Sequence, residues 1–96
     1  MKANALRGKL LEFLKSMYPE GADKRTIVSI FYQYHHVDAI IEALEYLSDK
    51  KYLLKKEVAH PYTEKEKICW YKILPEGIDL FDGNITQDPG IVIPRG

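Results

Sequence analysis

The chain has 96 residues, with 14 Lys and Arg set against 14 Asp and Glu, and a formal net charge of zero at pH 7. That length makes one domain with a modest core, and neutrality removes the global field that would recruit nucleic acid or anionic lipid. A single cysteine, Cys69, excludes an internal disulfide and a multi-cysteine zinc site.

No apolar run approaches the ~18 residues of a membrane span. Arg7, Lys9 and Glu12 interrupt the N-terminal stretch as a signal-peptide core, so a soluble cytoplasmic protein is expected. Residues 4 to 18 read as an amphipathic helix, with Leu6, Leu10, Phe13, Leu14 and Met17 on one face. Pro19-Glu20-Gly21 ends it. Asp23 is a suitable N-cap for a second helix, whose buried face is expected to be Ile27, Ile30, Phe31 and Tyr34. The link at Tyr34-His35-His36 lacks glycine.

A third helix carries the stripe Val37, Ile40, Ile41, Leu44 and Leu47, with Asp38 in its first turn and Lys50-Lys51 at its end. Its outward face holds Asp38, Glu42, Glu45 and Asp49, with no Lys or Arg before Lys50. After Lys51 the period falls to two. Residues Leu54 to Val58 and Ile68 to Leu74 read as strands, joined by a loop that contains Pro61. Pro75 opens a short fourth helix packed by Ile78 and Phe81 and closed by Gly83-Asn84. The tail to Gly96 contains the apolar run Ile91-Val92-Ile93, which must pack on this chain or on a second copy. Nothing in the sequence signals a strand between the first two helices.

Two segments carry a resemblance. Leu44-Glu45-Tyr46-Leu47 with Lys50-Lys51-Tyr52-Leu53 is similar to the "L-x-x-L-x-x-x-G-x-[IL]" entry to the wing in winged helix-turn-helix regulators of the MarR, PadR and ArsR type. Lys51 stands where those regulators have glycine. Tyr71-Lys72-Ile73-Leu74-Pro75-Glu76-Gly77 is similar to their "Y-x-L-T-x-x-G" pattern, with Leu74 in place of the capping threonine. The tail, Asp82-Gly83-Asn84-Ile85 and Asp88-Pro89-Gly90-Ile91, also resembles small winged-helix proteins of Mu-like prophages. The resemblance implies an α+β, mainly α, winged helix over residues 1–83, followed by a partly ordered tail over 84–96. It further implies a DNA-binding transcriptional regulator. A neutral monomer of this size would bind DNA weakly, so a homodimer through the first helix or the tail is expected.

The residues expected to meet duplex DNA are Lys24 and Arg25 at the second helix, His35 and His36 at the head of the third, and Lys65 and Lys67 in the wing. Trp70, Tyr62, Ile91 and Ile93 are the candidates for a protein interface. The acidic third helix opposes the DNA reading, since carboxylates near phosphates repel. The alternative is a protein-interaction module that offers this helix to a basic partner. His35 and His36 beside Asp38 could also become cationic near pH 6. No recognised zinc spacing, nucleophile elbow or phosphate loop is present, so neither metal, cofactor nor enzymatic activity is expected.

Overall fold

A computed structural model describes residues 2–59, 62 and 67–94. The described residues form a small α+β fold of four helices and one three-stranded antiparallel sheet. The elements are α1 (Ala3–Ser16), β1 (Ala22–Asp23), α2 (Lys24–Phe31), α3 (Val37–Asp49), β2 (Leu53–Ala59), β3 (Lys67–Ile73) and α4 (Pro75–Asp82). The sheet order is β1-β3-β2, with Ala22 opposite Tyr71 and Leu53 opposite Ile73.

The helical faces form as the spacing dictates. Leu6, Leu10, Leu11 and Leu14 of α1 meet Ile40, Leu44 and Leu47 of α3, and Tyr71 and Ile73 seal the core from the sheet. Burying each such side chain contributes about 1.5–3 kcal/mol. Three expectations need correction. Met17 lies beyond the end of α1 and is 38% exposed. Val37 is 41% exposed, so the α3 stripe begins at Ile40. In α2 only Ile27 is buried, while Ile30 is 43% and Tyr34 80% exposed. The helix stops at Phe31, so the chain has left the helical period before Tyr34.

The helix ends follow local chemistry. The Asp23 carboxylate accepts from the Thr26 amide at 3.2 Å and from the Thr26 hydroxyl at 2.6 Å. Pro75 occupies the first turn of α4, and Gly83 closes that helix at φ 80°. Leu74 offers no side-chain cap.

Lys51 turns α3 into β2 at φ 67°, the left-handed region that glycine adopts without strain. Lys51→Gly is therefore expected to stabilise the fold by about 1 kcal/mol, read as a higher urea midpoint with an unchanged slope.

β1 has only two residues, yet it joins the N-terminal helices to the sheet. Gly21 just before it permits this, because a Cβ there would overlap the Tyr71 carbonyl. The tail is part of the same core. Ile91 and Ile93 are 3% and 7% exposed, and the Val92 amide donates to the Asn4 carbonyl at 3.0 Å. Assigning these two isoleucines to a protein interface is thus corrected: α1 covers them.

Candidate nucleic-acid interface

β2 and β3 alternate their side chains across the sheet. Tyr71 is fully buried, so its neighbours two residues apart, Cys69 and Lys67, lie on the helix side. Lys55, the partner of Tyr71, and Glu57, the partner of Cys69, lie on that side too, and Lys56 and Trp70 lie on the other. The sheet runs on beyond the core, leaving a gap between the hairpin and the start of α2. There Asp23, Lys24, Arg25, Lys55, Glu57, Lys67, Ile68 and Cys69 line one groove of about 340 Å3.

The fold thus gathers Lys24, Arg25 and Lys67, three of the residues expected to meet DNA. It adds Lys55, which is not among the residues expected to meet DNA. Strand alternation was the signal that separates Lys55 from Lys56. His35 and His36 are elsewhere. His36 precedes α3, and His35 lies in a small hollow with Arg7, Ala39 and Glu42. Lys65 falls outside the described residues. Tyr62 is 91% exposed, and Trp70 is partly buried, with the backbone of Gly21 beneath its indole nitrogen.

Carboxylates temper the groove. Lys55 Nζ contacts Glu45 Oε1 at 2.8 Å, and Lys67 Nζ lies 3.8 Å from Glu57. The Tyr71 hydroxyl donates to the same Glu45 oxygen at 3.0 Å. The bond from Lys55 holds the Glu45 carboxyl below its usual range against the opposing effect of burial, and Tyr71 and the charge of Lys24 add to it. Tyr71 itself is shifted up, first by burial and then by Cys69 and Glu45. Asp23 is lowered chiefly by the Thr26 hydroxyl. Two cations of the groove, Lys24 and Lys55, are therefore partly balanced by the acidic helix.

The outward face of α3 is as acidic as its spacing implies. Asp38, Glu42 and Asp49 are exposed, and with Glu45 they form a stripe about 16 Å long. Burial, reinforced by Lys9, moves the His35 imidazole below its ordinary value.

A second polar cluster ties the tail down. Asp88 accepts from the Tyr52 hydroxyl at 2.9 Å and from the Gly90 amide at 2.8 Å, and Lys50 lies 3.3 Å away. Burial raises the Asp88 carboxyl, but the Gly90 amide, Tyr52 and Lys50 outweigh it and the net shift is downward. Burial and Asp88 push the Tyr52 phenol up to about 12. Arg7 completes the clasp, its guanidinium 3.6 Å above the Tyr46 ring and donating to the Gly90 carbonyl at 3.1 Å.

A carboxyl depressed in the folded state adds stability that is present above its unfolded pKa and lost as pH falls through the folded value. Asp88→Asn is expected to cost about 1–2 kcal/mol at pH 7. The gap from the parent chain should close below the ordinary aspartate range. Urea unfolding from pH 7 down to pH 2 checks it.

Among the described residues, no helix is long and apolar enough to cross a membrane, and no group of three His, Cys, Asp or Glu side chains is placed to hold a metal. Comparison with family models, with curated proteins and with solved structures found no match.

Proposed function

We propose that the chain is a winged helix-turn-helix domain that holds duplex DNA by phosphate contacts at the groove between α2 and the β2–β3 hairpin. The order helix, short strand, helix, helix, strand, strand supports the fold reading, with α2 and α3 as the helix pair and the hairpin as the wing. The observation that carries the function is the meeting of Lys24, Arg25, Lys55 and Lys67 in one groove at the N-terminus of α2. Clustered cations make a phosphate seat, beside the Asp23 carboxylate that already takes the Thr26 amide. In this reading the protein is a small transcriptional regulator, of the kind encoded by prophages, and α2 and the wing supply its affinity.

The acidic stripe of α3 favours a second reading, a winged helix used as a protein-interaction module that docks a Lys- and Arg-rich partner. Polarisation of labelled random duplex at low salt, repeated up a salt series, separates the two. The DNA reading expects micromolar binding with a negative log–log slope that counts phosphate contacts. Lys24→Glu with Arg25→Glu should then weaken binding about 30-fold or more, because two contacts become repulsions. Unchanged binding would refute the phosphate seat. No binding at all by the parent chain would leave the acidic helix as the functional surface.

A further inference from the structure

β2 is an edge strand: it pairs with β3 on one side, and among the described residues nothing pairs with its other side. Leu54 to Glu57 are exposed along it, Leu54 by 46%. A free edge of seven residues is a template for another strand. We propose that the strand it takes is β2 of a second copy of this chain, giving a two-fold symmetric dimer with one continuous six-stranded sheet.

The sequence of the strand is self-complementary. A two-fold axis normal to the sheet runs the strands antiparallel and keeps like faces together. The symmetric register that overlaps all of Leu53–Ala59 is centred on Lys56. It sets Lys55 opposite Glu57 of the second copy, twice over, and Leu54 opposite Val58. Within each copy Lys55 already contacts Glu45, and Lys67 lies near Glu57. The pairing therefore makes a chain of alternating charge, Glu45, Lys55, then Glu57 and Lys67 of the second copy. The Glu57 side chain is 55% exposed and the Lys55 side chain 38%, so both can reach across. The neutral net charge sets no long-range barrier to self-association. Ile91 and Ile93 of the tail are buried within this chain and so do not supply the contact. The register contains one repulsive pair, Lys56 against Lys56, and that pair gives the test its sign.

The proposal does not rest on DNA binding. Sedimentation equilibrium of the full chain from micromolar to millimolar concentration reads it directly. A reversible dimer is expected. Lys56→Thr should tighten it about fivefold, since the like-charged pair on the axis is removed. Glu57→Lys should weaken it about tenfold or more, since two attractive pairs become repulsive. Both positions are exposed, and circular dichroism shows whether each variant keeps the fold. A monomer throughout the range would overturn the proposal. So would a dimer whose strength ignores both substitutions.

Discussion

Gly8→Ala is expected to destabilise the intact chain by about 2–3 kcal/mol, although alanine is the better helix former. Gly8 sits in the middle of α1, where glycine ordinarily costs about 1 kcal/mol relative to alanine. It is buried because the tail crosses it, and a Cβ there would run into the Val92 carbonyl. Relief requires moving Val92, which breaks its bond to Asn4 and lifts Ile91 and Ile93 from the core. Losing that burial outweighs the gain in helix propensity. The sign should reverse in a chain ending at Asn84, where nothing opposes the methyl group and alanine stabilises by up to about 1 kcal/mol. Urea unfolding of the four combinations measures both signs. Stabilisation by Gly8→Ala in the intact chain would show that the tail does not hold this position.

Charge reversal of the α3 face gives the largest expected change in binding. Asp38→Lys with Glu42→Lys should raise affinity for random duplex about 50-fold at low salt if α3 lies against the DNA, with the salt slope steeper by about two contacts. Both side chains are exposed, so the core is untouched. Asp38 is in the first turn of α3, and a lysine there opposes the helix dipole by about 0.3–1 kcal/mol. That loss is small beside the roughly 5–15 kcal/mol ordinary for a native domain. Unchanged affinity beside a strong effect of Lys24→Glu and Arg25→Glu would mean that the duplex rests on α2 and the wing while α3 faces away. In the protein-docking reading the same double substitution abolishes capture of a basic partner. One pair of variants thus assigns a role to each face of the helix pair.

The Lys51 turn shows how far the written pattern reaches. The pattern that this segment resembles has glycine at that place, and the backbone here is left-handed. The pattern described a backbone need that this chain meets with a lysine. Leu74 is the matching case: the missing threonine is a missing cap in the structure. The chemistry of these turns is local, so neighbouring residues reveal it.

The burial errors have an equally local cause. Ile30, Tyr34 and Val37 extend the apolar spacing, yet all three are exposed: Tyr34 lies past the end of α2, while Ile30 and Val37 are helical but turned to the outside. Periodicity says which residues could share a face. It does not say where α2 ends.

By itself the sequence determined the helical faces of α1 and α3, the Asp23 cap, the two hairpin strands, the Pro75 and Gly83 limits of α4, and the acidic stripe. Each depends on residues within a few positions of one another, where propensity and side-chain period act. Only the tertiary structure decided the β1 bridge, the clasp of the tail around Asp88, the need for glycine at positions 8 and 21, and the groove that joins Lys24 and Arg25 to Lys55 and Lys67. A two-residue strand has no period to read. A glycine in a helix looks like a weakness until the segment that presses on it is known. Lysines distant in the chain become one electrostatic site only when the core between them has formed.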